Sequence, residues 1–155
     1  MLAVGKKAPA FWLESSRGGK LRLSELLGKW VVLYAYPRDN TPGCTREAEG
    51  FRDAAAELDA LGAVVLGVSK DSIASHLRFG EKLGLDFILL SDPEAKMLEK
   101  YGAWGEKTMY GKKRMGILRS TFLIDPKGKL VHVWPKVRVK GHVAEVMGVL
   151  RELAG

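Results

Sequence analysis

The only cysteine of the chain, Cys44, lies in a short segment whose residue types suit nucleophilic chemistry. The segment runs from Tyr36 to Glu47 and reads YPRDNTPGCTRE. Thr41 precedes the cysteine by three residues, the spacing at which two side chains meet across one helical turn. Gly43 stands directly before the cysteine and would leave the approach to the sulfur open. These residues predict a thiol nucleophile with a hydroxyl beside it.

An ordinary cysteine is a weak nucleophile at neutral pH because only a small fraction of it is thiolate. Apolar residues recur with a helical period after Thr41, and Pro42 suits the first helical position, so Cys44 should lie in the first turn of a helix. The helix end favours an anion by roughly 0.3 to 1 kcal/mol, which is too little without a nearby cation or hydroxyl. The alternative is that Thr41 is only an N-cap and Cys44 a small buried hydrophobic residue.

The elements around this segment alternate between strands and helices. Residues on either side of a glycine-rich turn predict an N-terminal hairpin at 11–13 and 20–23. Apolar runs predict buried strands at 30–36, 63–68 and 87–90, and helical periods predict helices at 41–61, 72–83 and from Pro93 to about Gly102. After a polar loop, the remaining pattern predicts strands at 117–124 and 129–134 and a closing helix at 143–153.

This order predicts an α/β fold with parallel strands in the middle of the sheet and helices on both faces. It fits a thioredoxin-like sandwich, in which a mixed central sheet is flanked by helices, here with an N-terminal hairpin. Loops that leave the carboxyl ends of such strands build active sites, and the segment that carries Cys44 is one of them. A chain of 155 residues with 46% apolar composition should form a single domain over 1–155.

Composition argues against several other classes of function. No apolar run approaches the roughly 18 residues that span a bilayer, so we expect a soluble, cytoplasmic protein without a membrane partner. The net charge of +7 is spread along the chain, and its densest cluster, Lys107 with 112–114, is interpreted as a solvated loop rather than a nucleic-acid site. His76, His132 and His142 have no second ligand at metal-binding spacing, which predicts no metal. No phosphate-binding glycine pattern occurs, so no cofactor is expected.

The spacing of Pro37, Thr41 and Cys44 follows the pattern Pro-x-x-x-Thr-x-x-Cys, and in this the chain resembles the peroxiredoxins. The wider segment is similar to the subgroup called bacterioferritin comigratory protein or peroxiredoxin Q. Further matches occur in order over most of the chain, at Gly5–Pro9, Gly67–Ser69, Leu90–Asp92 and Arg119–Asp125. The resemblance implies a thiol-dependent peroxidase of antioxidant defence, which reduces hydrogen peroxide and organic hydroperoxides through a cysteine sulfenic acid.

The resemblance also implies roles for individual residues. Cys44 matches the peroxidatic cysteine, Thr41 the hydroxyl that orients the peroxide, and Pro37 the residue that shields the pocket. Arg119 matches the active-site arginine, whose guanidinium would stabilise the thiolate and the departing oxygen. Glu47 would orient Arg119. The alternatives are that Arg119 is a strand residue facing water and that Glu47 is an ordinary acid of a first helical turn.

One departure from the subgroup shapes the expected cycle. Many members carry a resolving cysteine five residues after the first, where this chain has Glu49, and Cys44 has no other cysteine to pair with. A sulfenic acid at Cys44 would therefore need an external thiol, such as thioredoxin, a glutaredoxin, a small thiol or Cys44 of a second copy. The sequence does not choose among these reductants, or between a monomer and a homodimer.

Two other functions remain open from the residues. A thioredoxin-fold thiol-disulfide exchanger would normally carry Cys-x-x-Cys, but the residues three before and three after Cys44 are Thr41 and Glu47. A non-enzymatic module would use Cys44 for packing or sensing. Reactivity separates these possibilities, because an exchanger reacts readily with disulfides and slowly with peroxide, and a module reacts slowly with both.

Overall fold

The computed structural model describes residues 2–155, which form nine β-strands and five α-helices. The strands are β1 (Trp12–Ser15), β2 (Lys20–Arg22), β3 (Trp30–Ala35), β4 (Ala63–Ser69), β5 (Ile88–Ser91), β6 (Trp104–Met109), β7 (Lys112–Ile117), β8 (Ser120–Ile124) and β9 (Leu130–Trp134). The helices are α1 (Pro42–Asp53), α2 (Ala55–Ala60), α3 (Ile73–Leu83), α4 (Lys96–Lys100) and α5 (His142–Ala154). None of the described helices is both long enough and apolar enough to cross a membrane.

Seven strands form the main sheet in the order β2-β1-β5-β4-β3-β8-β9. Strands β3, β4 and β5 are parallel, whereas β8 and β9 form an antiparallel edge on one side and the β1–β2 hairpin forms the other edge. The predicted mixed sheet and N-terminal hairpin are therefore confirmed. The late hairpin also lies where the sequence predicted it.

The main sheet separates two hydrophobic cores, and β3 contributes to both because its side chains alternate between the faces. Val31, Leu33 and Ala35 face the first core, which also takes in α4. Val32 and Tyr34 face the second core, which α1, α2, α3 and α5 cover. Helices thus cover both faces of the sheet, as predicted, and Cys44 belongs to the second core.

The stretch predicted as a polar loop after Gly102 is instead a separate two-stranded ribbon of β6 and β7. Tyr110 and Gly111 form its two-residue turn, with φ of 53° and 76°. Positive φ at both positions is the turn geometry that matches the twist of paired strands. The prediction missed the ribbon because its polar and charged residues show no alternating apolar face.

Three predicted boundaries were also wrong. The helix expected to continue from Thr41 to Leu61 breaks at Ala54, where φ is −91° and ψ 4°, and no glycine or proline marks the break. The helix expected to begin at Pro93 begins only after Ala95, whose φ is 59°. The strand expected over 117–124 is interrupted, since β7 ends at Ile117 and β8 begins at Ser120. Arg119 therefore lies in the connection between β7 and β8 and not on a strand.

Candidate active site

Cys44 lies in the first turn of α1, in the position that the sequence predicted. Thr41 is the N-cap residue, with extended backbone at φ −92° and ψ 154°, and Pro42 follows at the start of the helix. The first N–H groups of a helix have no partner within it, so they present partial positive charge near the sulfur. The side chain of Cys44 is 1% exposed.

The hydroxyl of Thr41 does not cap the helix as a side chain. It donates instead to the carbonyl oxygen of Arg38, at 2.9 Å, within the loop that joins β3 to α1. A hydroxyl that donates in one direction still has lone pairs with which to accept a hydrogen bond. The Thr41 side chain is therefore held in place, and its oxygen can still accept a hydrogen bond.

Arg119 links Cys44 to Glu47. One nitrogen, Nη2, lies 3.4 Å from Cys44 Sγ, and the other, Nη1, donates to Glu47 Oε1 at 2.7 Å. The backbone of the connection between β7 and β8 is fixed on both sides, because Leu118 N–H donates to Ala103 O and Arg119 O accepts from Val137 N–H. Arg119 does not lie on a strand facing water; its side chain is 17% exposed and points to the first turns of α1.

Glu47 is fully buried one turn after Cys44, and its charge state depends on two opposing effects. Burial raises the pKa of Glu47 to about 7, although the adjacent guanidinium of Arg119 acts to lower it. Burial lowers the pKa of Arg119, but the negative charges of Glu47 and Cys44 outweigh this effect and hold the pKa above its usual value. Arg119 thus keeps its charge, whereas the Glu47 carboxyl titrates near neutrality.

Two buried oxygens near the site have no hydrogen-bond partner among residues 2–155, the hydroxyl of Tyr34 and Oε2 of Glu47. Burial raises the pKa of Tyr34 well above its usual value, and Glu47 raises it further. Tyr34 therefore stays protonated. A buried acceptor without a partner costs free energy, and more so when it is charged, so the environment of Oε2 favours a protonated Glu47.

Pro37 and Gly43 complete the set of residues that the sequence placed at the site. Pro37 is partly exposed and follows Tyr36 at the end of β3. Gly43 contacts the arginine, because a Cβ atom at this position would lie 3.2 Å from Arg119 Nη2. The absence of a side chain at Gly43 thus gives room to the guanidinium.

The sequence did not predict a buried polar cluster that forms around Asp39, in the loop between β3 and α1. His76 Nδ1 lies 2.7 Å from Asp39 Oδ2, and His76 Nε2 lies 2.9 Å from Leu90 O. Burial raises the pKa of Asp39, but hydrogen bonds from His76 and Tyr36 outweigh this effect and the pKa falls below its usual value. The two residues are separated by 37 positions, so no local pattern in the sequence could have paired them.

The same cluster bears on the prediction that the chain binds no metal. Potential ligand atoms of Asp39, Asp71 and His76 lie within 4.8 Å of one another. The carboxylate oxygens involved already have protein partners, since Ser75 donates to Asp39 and the N–H of Asp39 donates to Asp71. The cluster is satisfied by hydrogen bonds within the protein, and the absence of a metal site stays a prediction.

The comparisons with known proteins agree with one another. A profile described as the AhpC/TSA family matches residues 4–133. The chain is 53% identical over 149 residues to a putative peroxiredoxin bcp of Coxiella burnetii, covering 96% of this chain and 99% of the relative. It is 47% identical over 153 residues to the peroxiredoxin Bcp of Bacillus subtilis, covering 99% and 98%.

A solved structure of the Xanthomonas campestris bacterioferritin comigratory protein superimposes with a TM-score of 0.92 at 40% identity, covering 99% of this chain and 100% of the other. That structure is described as giving insights into the alkyl peroxide reduction activity of the Xanthomonas protein. The thioredoxin-like fold predicted from the order of elements is thereby confirmed. The chain belongs to the AhpC/TSA family, and within it to the Bcp or peroxiredoxin Q group of thiol-dependent peroxidases, of which it is a member without a resolving cysteine.

Proposed function

We propose that Cys44 is the nucleophile that reduces the peroxide and that Arg119 is the residue that makes it reactive. The observation that carries this proposal is the position of the guanidinium, with one nitrogen 3.4 Å from Cys44 Sγ and the other bonded to Glu47. A cation in a largely buried site stabilises a thiolate by a charge-assisted hydrogen bond. It adds to the roughly 0.3 to 1 kcal/mol that a helix N-terminus supplies.

The chemical step transfers one oxygen from the peroxide to sulfur. The Cys44 thiolate attacks the terminal oxygen of ROOH, the S–O bond forms as the O–O bond breaks, and RO⁻ leaves to take a proton from water. The products are Cys44 sulfenic acid and ROH. Arg119 would donate to the departing oxygen as its negative charge grows, and this is where a fixed donor accelerates such a step.

Thr41 and Pro37 are assigned supporting roles in the same step. Because the Thr41 hydroxyl donates to Arg38 O, its lone pairs are available to accept the O–H of the peroxide and so orient it toward the sulfur. Pro37 has no N–H to donate and would shield the reacting atoms from water on the side of the loop. Glu47 fixes the direction of the guanidinium.

Both hydrogen peroxide and organic hydroperoxides are proposed substrates. The mechanism acts on the terminal oxygen and leaves the R group outside the bonds that change. The reduction of alkyl peroxides by the Xanthomonas relative supports the organic class.

Recovery of Cys44 is proposed to depend on an external thiol, because the chain has one cysteine. A thiol R′SH attacks the sulfenic sulfur, forming a mixed disulfide and releasing water, and a second thiol then frees Cys44 and forms R′SSR′. Thioredoxin, a glutaredoxin and a small thiol can each supply both thiols. Cys44 of a second copy could take the first role within a homodimer, whereas a monomer uses only the external donor.

The test is the rate of sulfenic acid formation when reduced protein meets hydrogen peroxide, followed by stopped flow with the product confirmed by intact mass. Cys44→Ser should abolish the reaction. Arg119→Ala should slow it by about 10²- to 10³-fold, as loss of one transition-state donor does. Arg46→Ala is a matched control, because Arg46 is an exposed arginine on the same helix, and its rate should stay within about threefold of the parent.

An unchanged rate in Arg119→Ala would remove the arginine from the mechanism. A parent rate like that of a free thiol, with rapid reaction toward a small disulfide, would identify a thiol-disulfide exchanger instead. Slow reaction with both would leave Cys44 a packing or sensing residue.

A further inference from the structure

The ribbon of β6 and β7 stands outside the main sheet and carries a surface that the peroxidase chemistry does not use. Its register pairs Gly105 with Gly116, Lys107 with Arg114 and Met109 with Lys112. Because side chains alternate between the faces of a strand, these six residues share one face. We call it the basic face of the ribbon.

The basic face holds three cations and no acid. Lys107 lies directly opposite Arg114, and like charges at opposed positions destabilise a strand pair. None of the three cations has a carboxylate within 4.0 Å in the part of the chain that the structure describes. The acid of the ribbon, Glu106, points to the other face, where it lies 3.8 Å from Lys113. No acidic side chain in the described part of the chain offsets these three cations, so the charge of the basic face is complementary to that of an anionic partner.

The base of the ribbon is joined to the active site by direct contacts. The two residues after β7 are Leu118 and Arg119, and Arg119 lies 3.4 Å from Cys44 Sγ. The Leu118 side chain packs over Gly105, where a Cβ atom would lie 3.1 Å from it. Lys107 and Arg114 stand three residue pairs from the base, about 10 Å along the strands. A protein partner docked on the ribbon would therefore lie beside the segment that carries Arg119.

Exposed apolar side chains frame these charges. Met109, which lies on the basic face, is 54% exposed, and Tyr110 at the turn is 99% exposed. Methionine and tyrosine are enriched in protein interfaces, where they supply contact area around polar groups. A cationic surface with apolar side chains at its tip fits a folded acidic protein better than a phosphate backbone alone, which would need only the cations.

We propose that the basic face of the ribbon is the docking surface of an acidic protein that carries the thiol for recovery of oxidised Cys44. This rests on the proposed function, in which an external thiol completes the cycle. Opposite charge raises the rate of encounter between two proteins and positions them before contact. The partner would present its thiol at Cys44 while acidic residues around that thiol contact Lys107, Lys112 and Arg114.

The experiment separates the two halves of the cycle. Oxidation of Cys44 by hydrogen peroxide is measured first, and the oxidised protein is then mixed with either reduced thioredoxin of net negative charge or dithiothreitol. The test variant combines Lys107→Glu, Lys112→Glu and Arg114→Glu. The matched control combines Lys29→Glu, Lys127→Glu and Lys129→Glu, which makes the same change in charge with exposed lysines at the opposite end of the main sheet.

At low ionic strength the test variant should be reduced by thioredoxin at least tenfold more slowly than the control variant, while dithiothreitol reduces both at similar rates. The rate at which thioredoxin reduces the oxidised parent should also fall with added salt, whereas the rate for the test variant should not. If the glutamate variant fails to fold, a second variant with glutamine at the same three positions should show a smaller loss in the rate of reduction by thioredoxin.

Equal slowing of test and control variants would overturn the proposal, because net charge alone would then explain the effect. The proposal would also be overturned if thioredoxin reduced the test variant as fast as the parent. Tight binding of a fluorescent oligonucleotide to the parent but not to the test variant, with no difference in their rates of reduction by thioredoxin, would identify a nucleic-acid surface instead. A parent that forms no sulfenic acid in the first half would instead contradict the proposed function.

Discussion

A buried carboxylate beside a cysteine ordinarily opposes ionisation of the thiol, because two negative charges repel each other. Here the positive charge of Arg119 offsets the repulsion between Glu47 and Cys44. The guanidinium lies between the two groups and donates to both. Only one oxygen of Glu47 is bonded to it, and the other has no partner in the described part of the chain. Burial therefore outweighs the ion pair, and Glu47 changes charge near pH 7.

The titration of Glu47 predicts a stability that falls as pH rises. The folded pKa of about 7 lies above the ordinary value of 4.5, so between these values the folded chain binds more protons than the unfolded chain. The stabilisation is fully present below about pH 4.5 and is lost as pH rises through 7. Glu47→Gln should remove this part of the slope, which amounts to at most about 3 kcal/mol.

Urea unfolding of the parent and of Glu47→Gln from pH 5 to 8 measures the effect as a difference between two curves. Glu49→Gln is the control, since it makes the same chemical change at a partly exposed residue of the same helix. Parallel curves for the parent and Glu47→Gln would show that Glu47 keeps one charge state throughout this range.

At the scale of elements, the sequence was informative wherever a local pattern decides the structure. Ser72 caps α3 by accepting from the N–H of Ser75, and Gly84 ends the helix in the left-handed conformation, as capping rules predict. The continuous apolar run of β3 predicted a strand buried on both faces. The segment that carries Cys44 was assigned to the first turn of a helix by the same local rules.

The parts that were missed depend on contacts between distant residues. Arg119 and Cys44 are 75 positions apart, and only the resemblance to a family placed them together. The β6–β7 ribbon is held by its own backbone pairing and a two-residue turn, without the apolar period that marks a strand on a core. The contact between Asp39 and His76 joins the loop before α1 to helix α3, two elements that are far apart in the sequence.

That contact predicts an energetic coupling between the loop before α1 and helix α3. The carbonyl of Leu90 can only accept, so His76 Nε2 carries a proton, and Asp39 accepts from Tyr36 and Ser75 as well as contacting Nδ1. Removing one member of a buried, hydrogen-bonded pair leaves the other without its partner. His76→Ala should lower the free energy of unfolding by about 3 kcal/mol.

A double-mutant cycle with Asp39→Ala measures the coupling directly. The double variant should be more stable than the sum of the single losses predicts, by about 1 to 3 kcal/mol, because both members are then absent. His132→Ala removes a partly exposed histidine from β9 and serves as the control, with a loss below about 1 kcal/mol. Strict additivity of the two single losses would mean that the contact contributes nothing of its own.

At the scale of the whole molecule, the two hydrophobic cores pack on opposite faces of the main sheet. Alternate side chains of β3 pack on opposite sides, and β8 pairs with β3 along five residues and contributes Phe122 to the first core and Leu123 to the second. Neither core can lose its packing without exposing one face of the same strands. Helix α1, which carries Cys44, packs on the second core, so the stability of this helix depends on both cores.

This arrangement predicts one cooperative unfolding transition whichever core is weakened. Phe51→Ala in the second core and Phe122→Ala in the first remove side chains that are 0% and 1% exposed, and each should lower the free energy of unfolding by about 3 to 5 kcal/mol. Urea curves followed by far-UV circular dichroism and by tryptophan fluorescence should give coincident midpoints for each variant. Leu153→Ala, which truncates a half-exposed leucine at the end of α5, should shift the midpoint little. If Phe122→Ala instead split the transition, so that fluorescence and dichroism reported different midpoints, the sheet would not transmit the loss from one core to the other, and the Cys44 side of the molecule would be an independent folding unit.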